Sequence, residues 1–207
     1  MRILTWNTKG SSSPYKAAEL INIIDYWNGK GDEVGIICLQ ELSVGNCSIQ
    51  PVLQARGYNC YWAREGLNGS GSIQMIAVNG GVQEGSGIIE LPVCEDIRGF
   101  KLRFPMYLIC QNNNKRGLIV TYHAPLFHTT YIMLQELGKV LKALREEYNF
   151  IILAGDLNVD YSFFNNTTSY IYHRLDHIIS WGIGLSNGIH SDETCSDHAP
   201  VSAHING

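Results

Sequence analysis

The sequence lacks several features that would place it in a familiar class at once. None of its six cysteines form a Cys-x-x-Cys pair, which argues against a structural zinc site or a thioredoxin-type redox motif. No apolar run is long enough to span a bilayer, and the opening MRILTWN has no apolar signal core. We therefore expect a cytoplasmic protein with reduced thiols. A secreted toxin or effector without its leader would show the same pattern.

An excess of basic residues is also missing. The 207 residues carry a formal net charge of -4, and 16% of them are charged. Proteins that bind nucleic acid non-specifically are usually basic, so the overall charge does not support that class, although a local basic groove stays open. Hydrophobic residues make up 45% of the chain, which excludes a disordered protein. The length predicts one domain over residues 1–207.

The chain does contain alternating buried strands and amphipathic helices. Strands are predicted for RILTW, GIICLQEL, GLIVTYHA and FIILA, and helices for KAAELINIIDYW and TYIMLQELGKVLKALREEY. A hairpin is predicted for MYLIC and GLIVTYHA, which flank the turn segment QNNNKRG. Because βαβ-like alternation occurs together with hairpins, we expect an α/β domain with mixed sheets.

Polar side chains collect at the ends of these predicted strands. Six segments each carry such residues: Asn7; Gln40 and Glu41; His123; Asp156 and Asn158; Asp176 and His177; Asp197 and His198. Taken singly, most of them are turn formers or hydrogen-bonded structural groups. Strand ends converge on one rim of an α/β fold, so their joint occurrence favours a site at that rim. Strand alternation would turn Asp156 and Asn158 to the same side of the sheet.

These residue types limit the chemistry of the site. Glu41, Asp197 and Asn7 offer hard oxygen ligands, which suit Mg²⁺, Mn²⁺ or Ca²⁺ better than zinc. Two histidines with further carboxylates suit hydrolysis of a phosphate ester, which needs a base for water and donors for the developing charge. No serine or cysteine nucleophile is expected.

The short motifs WN, QE, HAP, GDLN, RLDH and SDH occur in an order that resembles the endonuclease/exonuclease/phosphatase superfamily, from residue 5 to residue 201. The resemblance implies an α/β fold of two mixed β-sheets packed face to face and flanked by helices, a four-layer αββα sandwich. The segments YHAP and WNTKGSSS look most like pancreatic-type deoxyribonucleases and cytolethal distending toxin B subunits. The implied function is a divalent-metal-dependent phosphodiesterase, in the first place an endonuclease that hydrolyses DNA.

The resemblance also implies a metal site beside a histidine–aspartate pair. Glu41 would bind the divalent metal, Mg²⁺ or else Mn²⁺ or Ca²⁺, with Asn7 and Asp197 as neighbouring ligands. His198 would act as general base or contact the scissile phosphate. Asp176 would accept a hydrogen bond from His198 and fix its tautomer.

A second group of residues is implied to bind and activate the phosphate. His123 and Asn158 would contact it, and His123 is also a candidate for protonating the leaving oxygen. Asp156 would orient or activate water. The sequence does not determine which of His198, His123 and Asp156 acts as the acid and which as the base. His177 would point away from the site by strand alternation and is interpreted as structural.

Three functions compete at this stage. The first is the DNA endonuclease. The second is a phosphatase or phosphodiesterase on a phosphoinositide or another small phosphoester. The third is a binding module without catalysis, which the complete set of polar residues argues against. Toxin B subunits carry arginines before the histidine strand, whereas MYLIC has none; Lys115 and Arg116 in the adjoining turn are the substitutes considered.

Overall fold

The structure is a computed structural model, and it describes residues 1–10, 13–43, 48–65, 72–92, 102–112, 114–126, 128–160, 162–190 and 196–206. The described residues form three helices: α1 Pro14–Gly29, α2 Ile49–Gln54 and α3 His128–Leu144. They also form twelve strands: β1 Arg2–Asn7, β2 Val34–Ser43, β3 Tyr58–Arg64, β4 Ser72–Asn79, β5 Val82–Ile88, β6 Met106–Asn112, β7 Lys115–His123, β8 Phe150–Asp156, β9 Ser169–His173, β10 Asp176–Trp181, β11 Leu185–His190 and β12 Val201–Ile205.

The strands form two six-stranded sheets of mixed direction. The order in the first sheet is β11-β12-β1-β2-β4-β3, and in the second it is β5-β6-β7-β8-β10-β9. Each sheet has one parallel pair at its centre, β1 with β2 and β7 with β8, and the other pairs are antiparallel. Parallel neighbours end at the same edge, so each sheet presents two strand ends at one rim.

The two sheets pack face to face, and their inner faces share one apolar core. Ile3 and Ile76 of the first sheet belong to the same buried cluster as Leu108 and Ile152 of the second. The outer face of the first sheet is covered by α1 and α2, and the outer face of the second by α3. The predicted four-layer αββα sandwich with mixed sheets is therefore confirmed.

The two long helices both leave the rim where the site lies. Helix α1 follows β1 and begins at Pro14, whose missing N–H is not needed in the first helical turn. Its cap is Ser13, whose side chain accepts a hydrogen bond from the Lys16 N–H at 3.4 Å. Helix α3 follows β7 in the same way and connects it to the parallel strand β8.

Within the described part of the chain, no helix has both the length and the apolar composition needed to cross a membrane. Cys38 and Cys110 are free thiols. Cys47, Cys94 and Cys195 lie outside the described residues.

Candidate active site

Three neighbouring strands of the second sheet place polar side chains side by side at the rim. His123, the last residue of β7, is the register partner of Asp156, the last residue of β8. Asp156 is in turn the register partner of Asp176, the first residue of β10. All three side chains are buried. Main-chain pairing therefore fixes this row, which makes it more rigid than a site built on loops.

The first sheet contributes Asn7 and Glu41 to the same place. The Asn7 side-chain amide donates to Asp156 Oδ2 at 2.8 Å and lies 3.4 Å from Glu41 Oε1. Glu41 has φ of 54°, an unusual value for a glutamate, and the pairing of β2 with β4 shifts between Leu39 and Leu42. Such irregularities redirect a side chain, and here the shift accompanies the entry of Glu41 into the rim.

Gln40 also lies at this end of β2, but its contacts are internal. Its amide nitrogen donates to Thr5 Oγ1 at 3.1 Å and to Thr121 Oγ1 at 2.8 Å, and its side chain is fully buried. The bond to Thr121 joins the two sheets across the core, because Thr121 belongs to β7.

His198 reaches the row from the segment before β12. Its main-chain oxygen accepts a hydrogen bond from Trp6 Nε1 at 3.0 Å, which ties this segment to β1. His198 Nδ1 donates to Asp176 Oδ2 at 2.8 Å, and its Nε2 lies 3.7 Å from Asp156 Oδ2. The predicted pair of His198 with Asp176 is thus present as a contact. Asp197 faces outward and its carboxylate pairs with Lys9.

Burial and the neighbouring charges shift the pKa values of both His198 and Asp176. Burial raises the pKa of Asp176 to about 6, against the opposing effect of the hydrogen bond from His198. Burial opposes protonation of His198, but the hydrogen bond and charge of Asp176, with the charges of Asp156 and Asp197, raise its pKa to about 9. These neighbours therefore favour the protonated form of the His198 ring.

Glu65 is a site residue that the sequence analysis missed. Its carboxylate is 1% exposed and accepts hydrogen bonds from the Glu41 N–H at 2.7 Å, Ser72 Oγ at 3.0 Å and His123 Nδ1 at 3.1 Å. Burial opposes its ionisation, but the hydrogen bond and charge of His123, helped by Arg103, lower its pKa. Glu65 thus fixes the orientation of His123. It directly follows β3, so the strand-end rule applied to YWARE would have found it.

Arg103 is the second residue that was missed. Its guanidinium contacts His123 Nε2 and donates to the Ala124 carbonyl at 3.3 Å, and it lies 3.9 Å from Glu65 Oε2. The arginine of this site therefore stands three residues before β6. Arg116 lies at the opposite end of β7, where it pairs with Glu84 at 2.6 Å, so it does not substitute.

Asn158 is held by a turn beyond β8. Its N–H donates to Asp156 Oδ1 at 3.0 Å, its side-chain amide donates to the Ala124 carbonyl at 2.6 Å, and its φ is 53°. The prediction that strand alternation aligns Asp156 with Asn158 is therefore wrong. The strand ends at Asp156, and a local turn follows in which the Asp156 carboxylate accepts the Asn158 N–H.

His177 lies on the other side of the second sheet. Its ring is fully buried, and its nitrogens contact the Val159 carbonyl at 2.7 Å and the Tyr170 hydroxyl at 3.0 Å. The ring also stacks on Tyr172 with an interplanar angle of 9°. These contacts hold the segment that follows Asn158.

The oxygen donors of the site suit a hard divalent cation. Glu41 Oε1 and Asp156 Oδ2 share two partners, the Asn7 amide and His123 Nε2, which is 3.2 and 3.6 Å from them. Both carboxylate oxygens therefore lie close to the same two nitrogen atoms. No group of three or more His, Cys, Asp or Glu side chains in the described ranges has a metal-site arrangement. Mg²⁺ usually takes one or two carboxylates together with water and substrate phosphate, so the donor set fits it.

A serine with the G-x-S-x-G spacing does occur, in GLSNG at residues 184–188. The structure places Ser186 inside β11, where its hydroxyl donates to Asn206 Oδ1 at 2.8 Å. A nucleophile elbow requires a strand-to-helix turn, and this serine lies within a strand, so the G-x-S-x-G spacing does not mark a nucleophile here.

The fold and this cluster define a class, the αββα proteins with paired histidines and carboxylates at the rim of two sheets. The profile described as the Endonuclease/Exonuclease/phosphatase family matches residues 4–198, and the chain belongs to this family. The predicted superfamily is confirmed. Its members are phosphoester hydrolases and are generally dependent on a divalent metal. The narrower resemblance to deoxyribonucleases and toxin B subunits stays a prediction.

Solved structures share the fold. D. rerio TDP2 humanised by 14 mutations has a TM-score of 0.73 at 17% identity, covering 100% of this chain and 99% of that one. D. rerio TDP2 complexed with a single-strand DNA product has a TM-score of 0.71 at 16% identity, with coverage of 100% and 99%. The human Nocturnin catalytic domain with bound sulfate has a TM-score of 0.73 at 16% identity, with coverage of 100% and 94%. No curated protein matches the sequence.

Proposed function

We propose that the chain is a divalent-metal-dependent phosphodiesterase, and that it acts as an endonuclease on DNA. One observation carries this proposal: two histidines, each held by a buried carboxylate, flank the same oxygen atom. Asp156 Oδ2 lies 3.6 Å from His123 Nε2 and 3.7 Å from His198 Nε2. A phosphate group placed above Asp156 would meet an imidazole on each side, which suits stabilisation of its developing charge.

The two histidines take different parts in the proposed reaction. The neighbouring carboxylates raise the pKa of His198 to about 9, which favours donation of a hydrogen bond to a phosphate oxygen over acceptance of a proton from water. His123 is fixed by Glu65 so that its Nε2 faces the phosphate, with the Arg103 guanidinium beside it. His123 is then the candidate for delivering a proton to the leaving oxygen.

Asp156 is the proposed acceptor for the attacking water. It is buried between both sheets, and its Oδ1 is engaged by the Asn158 N–H, which leaves Oδ2 toward the histidines. Asn158 keeps this carboxylate oriented and adds an amide near the phosphate. Asp176 acts on His198 and not on the substrate, because its hydrogen bond holds the ring in place.

Glu41 and Asn7 are the proposed holders of the divalent metal, Mg²⁺ in the first place. Asn7 would bind through Oδ1, which accepts the Lys9 N–H at 2.9 Å in this structure, after its amide turns toward the ion. A divalent cation bound there supplies positive charge to the phosphoryl oxygens. Asp197 joins them only if its carboxylate leaves Lys9. Because both sheets contribute to this site, we propose that residues 1–207 act as one catalytic domain.

DNA is preferred over a small phosphoester because a protein of the same fold, D. rerio TDP2, is known in complex with a single-strand DNA product. The alternative substrate is a phosphoinositide or another small phosphoester. It is favoured by the net charge of -4. It is also favoured by two cations in the described part of the site, Lys9 and Arg103, because each is paired with a carboxylate. Long duplex DNA gains affinity mainly from unpaired basic side chains.

A substrate panel tests this proposal. Supercoiled plasmid, a chromogenic phosphodiester and a phosphoinositide are each incubated with the protein in Mg²⁺, Mn²⁺, Ca²⁺ or EDTA. We expect plasmid nicking and slow diester hydrolysis that EDTA abolishes. Rapid phosphate release from the phosphoinositide without plasmid nicking would favour the alternative instead.

A further inference from the structure

The arginine of the RLDH motif has a backbone conformation that arginine does not favour. Arg174 lies in the turn between β9 and β10, with φ of 53°. Glycine and asparagine adopt this left-handed conformation at lower cost. Among the described residues with positive φ, three are neither glycine nor asparagine, namely Lys9, Glu41 and Arg174, and the first two lie at the candidate active site. The turn alone therefore does not explain this arginine.

Main-chain pairing places the turn at the rim of the candidate active site. His173, the last residue of β9, is the register partner of Asp176, which is the register partner of Asp156. Register partners on antiparallel strands turn their side chains to the same face, so His173 extends the catalytic row by one strand. The Leu157 N–H donates to the Leu175 carbonyl at 2.8 Å. This bond ties the turn to the residue that follows Asp156.

The distance from Asp156 to the turn suits a neighbouring phosphate. Strand β10 is the neighbour of β8, and β9 is the next strand, so the turn lies one to two strands away from Asp156. Neighbouring strands are about 4.8 Å apart, which corresponds to about 5–10 Å across the sheet. Each nucleotide of a DNA strand advances by about 3.4 Å along the helix axis. A strand whose scissile phosphate lies above Asp156 thus brings a phosphate about one to three nucleotides away to the turn.

Arg174 is also an unpaired cation. It is exposed, and its side chain forms no ion pair or hydrogen bond within the described part of the chain. Lys9 and Arg103, by contrast, are paired with Asp197 and Glu65. The Arg174 guanidinium can therefore bind a phosphate without first leaving a carboxylate, and its planar fork suits two oxygens of one phosphate.

We propose that Arg174 binds a phosphate that flanks the scissile one in a nucleic-acid strand, at a subsite formed by the turn between β9 and β10. This inference rests on the proposed function and narrows the substrate to a strand with at least one further phosphate. A single phosphodiester occupies the catalytic row and does not extend to the turn. The subsite adds one phosphate contact, and each such contact increases the salt dependence of binding.

Binding of a labelled single-stranded oligonucleotide tests the subsite without turnover, by fluorescence anisotropy in EDTA at several salt concentrations. Arg174→Asn removes the charge and introduces a residue that tolerates positive φ. We expect it to weaken binding roughly 5- to 10-fold at low salt, between the usual effects of a surface ion pair and a charge-assisted hydrogen bond. The slope of log association constant against log salt should become shallower by about 0.7, the value for one phosphate contact on a single strand. Arg174→Lys keeps the charge and should keep the slope.

Arg145→Asn is the matched control. Arg145 is also exposed, and its side chain forms no ion pair or hydrogen bond with another described residue. It lines a cleft together with Trp181, the last residue of β10, whereas Asp176 is the first. Arg145 therefore lies at the opposite end of a strand about 17 Å long. The subsite is refuted if Arg174→Asn has the affinity and salt slope of Arg145→Asn, or if the wild type does not bind the oligonucleotide even at low salt.

Hydrolysis of a small chromogenic diester in Mg²⁺ separates this inference from the proposed function. In Arg174→Asn, the ratio of kcat/KM on the oligonucleotide to kcat/KM on the diester should fall, mainly through a higher KM on the oligonucleotide. If the wild type hydrolyses the diester and this ratio is unchanged, the subsite is refuted and the phosphodiesterase stands. If the wild type does not hydrolyse the diester, the proposed function fails, and binding in EDTA still decides the subsite. A loss of rate on a bisphosphorylated phosphoinositide, without one on the oligonucleotide, would overturn the assignment to a nucleic-acid strand.

Discussion

His177 is predicted to make the stability of the protein depend on pH. The ring is fully buried, and its neutral form satisfies both nitrogens, because Tyr170 donates to Nδ1 and Nε2–H donates to the Val159 carbonyl. Burial lowers the pKa of His177 from its ordinary value of 6.5 to about 4. The unfolded chain therefore binds the proton more readily than the folded chain between these two values.

The size and sign of the effect follow from that difference. Because the unfolded state takes up the proton first on acidification, the free energy of unfolding falls below about pH 6.5. At 1.36 kcal/mol per pKa unit the full loss is about 3 kcal/mol, reached near pH 4. This is a large part of the stability of an ordinary domain, about 5–15 kcal/mol.

His177→Phe provides the test, because phenylalanine keeps a ring against Tyr172 and cannot titrate. Urea unfolding is followed by circular dichroism for both proteins at about pH 7.5 and about pH 4.5. At the higher pH the variant is less stable by about 1–3 kcal/mol, since the Val159 carbonyl loses its donor. At the lower pH the difference in free energy of unfolding between the two proteins changes by about 2–3 kcal/mol in favour of the variant. A difference in free energy of unfolding that is the same at both pH values would refute the reasoning.

Three further predictions concern the site. Asp176→Asn should lower kcat about 10- to 100-fold and move the alkaline limb of the pH–rate profile to lower pH, because the pKa of His198 falls when its anionic partner is lost; an unmoved limb argues against the pairing. Glu65→Gln should lower kcat and also destabilise the protein by about 1–3 kcal/mol in urea unfolding, since three donors lose a charged acceptor; full activity would remove its positioning role. Arg103→Lys should raise KM more than Arg116→Lys does, because of these two arginines Arg103 contacts His123 and Arg116 pairs with Glu84. An equal change of KM in both variants would contradict a role for that contact.

The fold was predictable where strands are buried on both faces. RILTW and FIILA predict β1 and β8, and both are found at the centres of the sheets, since a continuous apolar run is the signature of such strands. Strands β5, β9 and β11 were not predicted. Each lies at a sheet edge, where exposed faces accept glycine, serine and asparagine, so the sequence carries neither an apolar run nor a clear alternation.

The site was predictable where a polar residue follows a buried strand. That rule identified Asn7, His123 and Asp156, which the structure brings into contact with one another. It did not identify Arg103. This arginine lies in an irregular segment, and only its contact with His123, twenty positions away, indicates that it belongs to the site. The alignment of Asn158 failed for a local reason, since a turn with positive φ replaced the expected strand.

Nicking of supercoiled plasmid in Mg²⁺ by the wild type and His198→Ala tests the central claim most directly. His204→Ala is the matched control, because His204 also bonds an aspartate through Nδ1, Asp32 at 2.7 Å, but beside Arg2 at the other end of β1. We predict nicking by the wild type and by His204→Ala that EDTA abolishes, and none by folded His198→Ala. Equal nicking by His198→Ala, or nicking that persists in EDTA, would contradict the proposed metal-dependent site.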